Sequence, residues 1–335
     1  MEVFRGHRTI RRRLGAPSVA IGNFDGMHRG HLALLDRARA RAAEIGGESA
    51  VLTFEPHPAV VLAPHLAPRL ITTLERKLEL MAAAGIDACV VEPFDRDLAG
   101  IPPDKFARVV LAEAIGARRA VVGFDFTFGH RRAGTTALLR TLGAELGFDV
   151  DVVDAVTVDG LVASSTRVRS FVAEGNMAGA RLLLGRDFEV CGRVVQGAGR
   201  GRGLGIPTAN IAPETQLQPA PGIYAVRVEL VSDGPAVAPP DPVASDAPGP
   251  RLAGAASLGT NPTFDDSGAL VLEVHLLDFD GDLYGRRLRV GFVERLRGER
   301  RFPGADELLD QIRQDIADTR RILAGAAPPS GPASG

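Results

Sequence analysis

The chain has 335 residues but no tryptophan, two cysteines, two tyrosines and two lysines, Lys77 and Lys105. Cys89 and Cys191 stand far apart, each in an apolar strand-like context and without metal-ligand spacing. That excludes a disulfide framework or a cysteine metal site and predicts two reduced core residues in a cytoplasmic protein. The shortage of lysine says little about function. No run of 18 apolar residues exists, so no membrane-spanning helix is expected. The start, MEVFRGHRTIRRRLGAP, is basic but leads into no apolar stretch, so it does not read as a secretory signal. A net charge of −2 gives no basis for broad attraction to nucleic acid. Neither GxxxxGK[ST] nor GxGxxG occurs, which excludes a P-loop and a dinucleotide fingerprint. What is there is a 45% hydrophobic, 24% charged composition of ordinary globular type. At roughly 150 residues per domain, the length predicts about two domains.

Residues 18–170 alternate short apolar runs with helical patterns. SVAIG (18–22), AVLTF (50–54), ACVVEPF (88–94), RAVVGFDF (119–126) and FDVDVVDAV (148–156) read as strands. HLALLDRARARAAEIG (31–46), TLERKLELMAAAG (73–85), PDKFARVVLAEAIG (103–116) and TTALLRTLGAELG (135–147) read as helices. This alternation predicts an α/β domain with a doubly wound parallel sheet covered on both faces. From 188 onward the runs are short, turn-punctuated and free of intervening helices: FEVCGRVV, GIYAVRVEL, RLAGAASLG, LVLEVHLLDF and LRVGFVERL. They predict an antiparallel barrel or sandwich, closed by a helix over 305–323. The expected division is therefore 1–185 and 186–325. Within the second part, 232–250 carries six prolines and few bulky apolar residues, which predicts a disordered loop; the tail 326–335 reads the same way.

GNFDGMHRGH (22–31) falls between a strand and a helix, at the edge of a doubly wound sheet where ligands bind. Gly22, Gly26 and Gly30 let backbone approach a ligand, and the helix start favours phosphate. His28 and His31 can present imidazoles to one anion. Such a pair suits nucleotidyl transfer, which needs no protein nucleophile but needs the α-phosphate held in line and its charge stabilised. ASSTRVR (163–169) adds hydroxyls and the arginines Arg167 and Arg169 at another helix start. FDFTF (124–128) brings three aromatic rings on which a flat ligand could stack, with inward core packing the alternative for each.

GRVVQGAGRGRGLGIPTAN (192–210) concentrates glycine. RGRG could mark a disordered RNA-binding box, but it is unrepeated and flanked by strand-like text; a phosphate-wrapping loop reads better. Thr208 and Asn210 offer hard oxygen donors of the kind Mg²⁺ accepts beside ATP phosphates. In LVLEVHLL (270–277), Glu273 and His275 share one strand face, where a carboxylate is most often simply solvated.

GNFDGMHRGH, TFEPHP (53–58), VVGFDFTFGHRRAGT (121–135) and SSTRVR, in that order, resemble the N-terminal module of prokaryotic bifunctional riboflavin kinase/FAD synthetases. GRxxGxPTAN, PAPGIYA (219–225), GTNPTF (259–264), E-x-H and DLYG (282–285) are similar to their riboflavin kinase module, so the resemblance covers essentially the whole chain. It implies a nucleotidyltransferase α/β domain followed by a riboflavin kinase β-barrel with a C-terminal helix. It implies that His28 and His31 contact the ATP phosphates, with Gly22, Asn23, Phe24, Asp25, Gly30, Ser165, Thr166 and Arg169 in the same nucleotide site. Phe54, Pro56, His57, Pro58, Asp125, Phe126 and Phe128 would receive the flavin. In the second module it implies Glu273 as general base. Gly197, Gly199, Gly203, Gly205 and Pro207 would cover ATP, Thr208 and Asn210 would hold Mg²⁺ with it, and Arg297 or Arg301 would close over flavin. Riboflavin, FMN, FAD and ATP are the implied small-molecule substrates and products, with no nucleic acid or membrane partner and a homo-oligomer left open. Ser257 departs from the asparagine common in the family, and the 232–250 insertion is long. Two rival readings remain: an adenylyltransferase for another phosphate acceptor with a non-catalytic flavin-binding barrel, and a flavin sensor. A sensor would have no need of Glu273 or His31.

Overall fold

The computed structural model describes residues 1–197, 201, 205–231, 251–260 and 270–325. Gly199, Gly203, the 232–250 insertion, the tail 326–335 and residues 261–264 of GTNPTF lie outside the described residues. Packing divides the chain into two units, the first built from Met1–Arg69 and Leu74–Ala163.

The first unit holds β1 (Glu2–Phe4), β2 (Ser18–Ile21), β3 (Ser49–Glu55), β4 (Ala88–Pro93), β5 (Arg119–Gly123), β6 (Thr127–Phe128), β7 (Gly134–Thr135), β8 (Asp149–Val153), β9 (Thr157–Val158) and β10 (Leu161–Val162). Its helices are α1 (Arg29–Glu44), α2 (Pro58–Leu62), α3 (Leu74–Ala83), α4 (Arg96–Ala99), α5 (Pro103–Lys105), which runs into a π-helical stretch Phe106–Ile115, and α6 (Thr136–Leu146). Six strands form one sheet in the order β1-β4-β3-β2-β5-β8, and every pairing is parallel. The chain moves outward from β2 through β3 to β4 and then returns to the other side of β2 with β5, so the order reverses at β2.

Alternation along these strands supplies two cores. Val19, Ile21, Leu52, Val90 and Val122 pack with Val110, Leu111 and Leu139 on one face. Ala20, Val51, Cys89 and Val121 pack with Leu35, Ala38, Leu78 and Met81 on the other. Strands buried on both faces read as continuous apolar runs, which is why they are visible in the sequence. The three-residue β1 is too short to carry a period and was not expected. Cys89 is buried among these side chains, and burial pushes its thiol up to about 12. It and Cys191 are both free thiols in the interior.

The second unit comprises Leu70–Thr73 and, among the described residues, the chain from Ser164 onward. It begins with α7 (Ser165–Glu174) and α8 (Met177–Leu184). Ser164 caps α7 by accepting from the Arg167 N–H at 3.3 Å, and Asn176 caps α8 by accepting from the Gly179 N–H at 2.8 Å. Sequence pattern put the division near 185; by packing, both helices belong with the barrel strands C-terminal to them. Met177, Ala180, Leu183 and Leu184 of α8 are buried, and the buried Asp187 carboxylate pairs with Arg181 and Arg227.

The strands β11 (Phe188–Val195), β12 (Ala209–Pro213), β13 (Gly222–Val231), β14 (Leu252–Thr260), β15 (Leu270–Leu276) and β16 (Arg287–Arg297) close a barrel in the order β11-β12-β15-β14-β13-β16. All its pairings are antiparallel. Closure leaves no unpaired sheet edge. Tyr224, Val226, Val228, Leu258, Leu272, Val274, Val290 and Phe292 are buried, and the Tyr224 ring meets Phe292 edge-on at 5.1 Å. The Tyr224 hydroxyl donates to the Ala220 carbonyl. Strand β12 begins inside the PTAN motif, and its polar start conceals it in the sequence. Helix α9 (Ala305–Gly325) packs on β13, β14 and β16, with Asp315 and Thr319 buried.

Leu35 is fully buried. Leu35→Ala is expected to lower the stability of the first unit by about 2–5 kcal/mol, measured by urea unfolding followed by far-ultraviolet circular dichroism. Both tyrosines, Tyr224 and Tyr284, belong to the second unit, so tyrosine emission should report a smaller change.

Candidate active sites

Because β2, β3 and β5 are adjacent and parallel, the loops that leave their C-terminal ends emerge along one edge of the sheet. Those loops are GNFDGMHRGH after β2, EPHP after β3 and FDFTF after β5. One sheet edge therefore carries the expected phosphate-binding and flavin-binding residues of the first unit, at the point where the strand order reverses.

The loop after β2 is tightly held. Phe24, Asp25, Met27 and His28 are buried, while Asn23 is exposed. Phe24 and Met27 adopt φ of 52° and 44°, a left-handed conformation that side chains with a Cβ rarely accept, and Gly26 lies between them at 85°. Strain of this kind costs of the order of 1–3 kcal/mol per residue and persists where the surroundings over-determine the backbone. His28 caps α1, accepting from the His31 N–H at 3.3 Å through Nδ1. The helix thus starts earlier than its apolar pattern suggested. The His28 and His31 rings stack with centroids 3.6 Å apart and planes 20° off parallel, and Phe24 meets His31 edge-on at 5.3 Å. The two imidazoles are brought together at the positive end of a 16-residue helix, an arrangement suited to an anion.

Below this loop lies a residue that sequence pattern does not single out. The Lys77 ammonium on α3 is buried and donates to the Asn23 carbonyl at 3.1 Å and to Thr53 Oγ1 at 3.5 Å. Burial pushes this ammonium below the usual lysine range, and Glu55 and then Asp25 pull it back up. Burial likewise raises the Glu55 carboxyl, with Lys77 opposing. A lone lysine in an amphipathic helix reads as solvated, so only its distant partners reveal it.

The expected flavin residues separate by exposure. Phe54 is half-buried and meets Phe94 edge-on, His57 caps α2, and Pro56 and Asp125 are exposed. Phe128 belongs to the core against Phe106, with half-buried Phe126 stacked on it at 5.6 Å. Phe124, absent from the expected flavin residues, is the exposed ring of FDFTF at 54%. Ser165, Thr166 and Arg169 lie in the first turns of α7 in the second unit.

In the barrel, Asn210 pairs directly with Glu273 across β12 and β15, and Glu273 with Ser257 across β14. Directly paired residues share a face, so Asn210, Glu273 and Ser257 form one row on the outside, opposite the inward Ile211, Leu272 and Leu258. A Cβ on Gly197 would overlap the Asn210 amide, so any larger residue there would displace that amide. A cavity of about 540 Å³ is lined by Gly205, Pro207 and Thr208 together with Val274, Phe279, Asp282 and Tyr284. Thr208 borders the cavity, and Glu273 lies on the alternate face of β15 from Val274, which lines it. His275 Nδ1 lies 2.8 Å from the Pro207 carbonyl, and because a carbonyl only accepts, Nδ1 carries the proton. Phe279, Asp282 and Tyr284 were not among the expected site residues, although Asp282 and Tyr284 belong to the DLYG motif. Arg297 is committed to Asp315 of α9 through two nitrogens at 2.7 and 3.0 Å, while Arg301 is exposed. Among the described residues no group of three or more His, Cys, Asp or Glu could hold a metal.

The FAD synthetase family profile matches residues 11–167 and the riboflavin kinase profile matches residues 184–323. A bifunctional riboflavin kinase/FMN adenylyltransferase of Pseudomonas fluorescens is 37% identical over 327 residues, covering 98% of this chain and 99% of its own. The protein of the same description from Escherichia coli K12 is 37% identical over 310 residues, 92% of this chain and 94% of its own. That from Listeria monocytogenes is 35% identical over 308 residues, 91% of this chain and 92% of its own. A crystal structure described as a macrolide-efflux protein from Streptococcus pneumoniae aligns with TM-score 0.80 at 28% identity, over 95% of this chain and 98% of that one. No helix among the described residues is long and apolar enough to cross a membrane.

The His275–Pro207 contact is directly testable. Long-range ¹⁵N–¹H spectra of neutral His275 should show the Nδ1–H tautomer. His275→Ala should cost the barrel about 0.5–1.5 kcal/mol, the usual worth of one hydrogen bond, in urea unfolding read by tyrosine emission.

Proposed function

The chain belongs to the bifunctional riboflavin kinase/FMN adenylyltransferase family, and we propose that its two units run consecutive reactions at the residues described above. The barrel phosphorylates riboflavin to FMN with ATP; the α/β unit adenylylates FMN to FAD and releases pyrophosphate. The observation that carries the assignment of sites is the convergence of three motif-bearing loops on one edge of the parallel sheet. We place the functional division between the two reactions near residue 185.

In adenylyl transfer, an FMN phosphate oxygen bonds to the α-phosphorus of ATP as the bond to the β-phosphate oxygen breaks. Negative charge grows on the α-phosphate and the departing pyrophosphate, and fixed donors that meet it lower the barrier. His28, His31 and the amides at the start of α1 are such donors. Gly22, Asn23, Phe24, Asp25 and Gly30 shape the loop around the nucleotide. Ser165, Thr166 and Arg169 join them by motif order, supplying hydroxyls and a guanidinium for the outer phosphates. The isoalloxazine is received by Phe54, Pro56, His57, Pro58, Asp125 and Phe126, with Phe124 the ring most open to stacking; Phe128 braces Phe126 from the core.

In the kinase reaction, Glu273 accepts the proton of the ribityl 5′-hydroxyl as that oxygen bonds to the γ-phosphorus and ADP leaves. A hydroxyl is a poor nucleophile near neutral pH, so a positioned carboxylate helps, but most of the acceleration comes from placement and charge neutralisation. Gly197, Gly199, Gly203, Gly205 and Pro207 would cover the nucleotide, and Arg297 or Arg301, of which Arg301 is the exposed one, would close over flavin. The Thr208 hydroxyl and Asn210 amide would hold Mg²⁺ with ATP, which suits an ion that prefers oxygen and arrives largely on phosphates. When bound, that ion neutralises charge on the phosphates. A cytoplasmic setting follows from the nucleotide substrates and the buried free thiols.

Purified protein incubated with riboflavin, ATP and Mg²⁺ should yield FMN and then FAD on chromatography; neither product would refute the assignment. Glu273→Gln should reduce FMN formation by about 10²–10⁴-fold, the scale of general-base catalysis, while FMN-to-FAD conversion persists. His31→Ala should do the reverse by about 10²–10³-fold, the scale of one lost charge-stabilising donor. Loss of both activities by either variant in folded protein would contradict two separate sites.

A further inference from the structure

We propose that Lys77 is a positioning residue for adenylyl transfer, clamping the strained histidine loop to the end of β3 and thereby setting where His28 and His31 meet the phosphates. The proposal rests on the adenylyltransferase reading of the first unit. Lys77 touches neither imidazole. Its Nζ bonds the Asn23 carbonyl at 3.1 Å, and Thr53 Oγ1 donates to the same oxygen at 3.2 Å. Lys77 Nζ and Thr53 Oγ1 are themselves 3.5 Å apart, so three groups from α3, β3 and the loop close a small polar knot. Thr53 is fully buried and Lys77 is 6% exposed.

Position makes this knot consequential. Asn23 immediately precedes Phe24, the first residue of the loop in the left-handed region, and the strained segment ends at Met27, next to His28. A backbone held in such a conformation relaxes unless neighbouring bonds oppose it. The Asn23 carbonyl is the loop's anchor at its entrance, as the His28 cap of α1 is at its exit. Without the Lys77 bond, the Asn23 carbonyl keeps the weaker hydroxyl donor of Thr53. Hydrogen bonds from a charged donor are about twice as strong as neutral ones.

Charge explains why a lysine occupies an interior position that an apolar residue would fill more cheaply. An isolated buried ammonium is costly, but Glu55 and Asp25 both act on this one. Glu55 terminates β3 and opens the EPHP loop, and Asp25 lies inside the histidine loop. One cation thus feels carboxylates from both the loop assigned to phosphate and the loop assigned to flavin, while its hydrogen bonds go to Asn23 and Thr53. Of the chain's two lysines, this is the interior one; Lys105 is exposed.

The test compares Lys77→Met, which removes donor and charge, with Lys77→Gln, which restores a neutral donor. Conversion of FMN to FAD is followed together with riboflavin phosphorylation, whose residues lie in the other unit. For Lys77→Met we expect kcat for FAD formation to fall about a hundredfold, the scale of an ångström misplacement of catalytic groups, with KM for FMN changed less than about threefold, since the groups that bind are retained. Lys77→Gln should recover part of the loss, and riboflavin phosphorylation should match the wild type. Amide hydrogen exchange should accelerate at 22–31 in Lys77→Met while β2, β3 and α1 beyond its first turn stay protected. Wild-type kcat in Lys77→Met, equal losses in the Gln and Met variants, or faster exchange throughout β2 and β3 would each overturn the proposal. A wild-type protein that makes no FAD would instead overturn the adenylyltransferase reading and this inference with it.

Discussion

Parallel pairing is the constraint on which the first unit's chemistry depends. Strands that run the same way release their following loops at the same edge, so β2, β3 and β5 deliver three loops to one place whatever those loops contain. Antiparallel neighbours would have sent alternate loops to opposite edges. The reversal of strand order at β2 falls at the loop that carries both histidines, the position where open parallel sheets bind ligands. Burial on both faces stabilises this sheet without help from the site, since the apolar side chains of β2 to β5 are divided between two cores. The edge is free to carry strain and charge that a core could not accept.

It does carry both. Phe24 and Met27 hold unfavourable backbone angles while their side chains are fully buried. Burial of two large apolar side chains, each worth about 1.5–3 kcal/mol, offsets that strain and locks the loop from beneath. Lys77 adds a directional bond to the same segment. The loop is therefore pinned by apolar packing, one buried cation and the His28 cap, which is the kind of preorganisation that charge stabilisation in a transition state demands.

The barrel solves a different problem. Closure removes sheet edges, and strict alternation puts Leu258, Leu272 and Ile211 inside while Ser257, Glu273 and Asn210 form a row outside. That row needs no loop to assemble it, because pairing across three strands does so. The cavity beside Thr208 is built instead from a strand end and the 279–284 segment, held in part by His275 on the Pro207 carbonyl. Arg297 ties α9 to the barrel through Asp315.

Much of this is legible in the amino-acid order. Apolar runs flanked by glycine mark β2 to β5 and β8, and helical spacing marks α1, α3, α6 and α9, since each of these signals is local. The short β1, the polar start of β12 and the π-helical turn of 106–115 are not legible, because none carries a period of its own. Exposure of Phe124 against burial of Phe128, the pairing of Arg297 with Asp315 and the interior place of Lys77 are equally hidden. Each depends on a partner many residues away, and side-chain spacing along a chain does not report which distant group will face it. By itself the sequence determined an α/β half followed by a β-barrel half and the family to which both belong. Tertiary structure alone decided which side chains share a face and which are buried, since register and burial are set by pairing between strands and helices remote from one another.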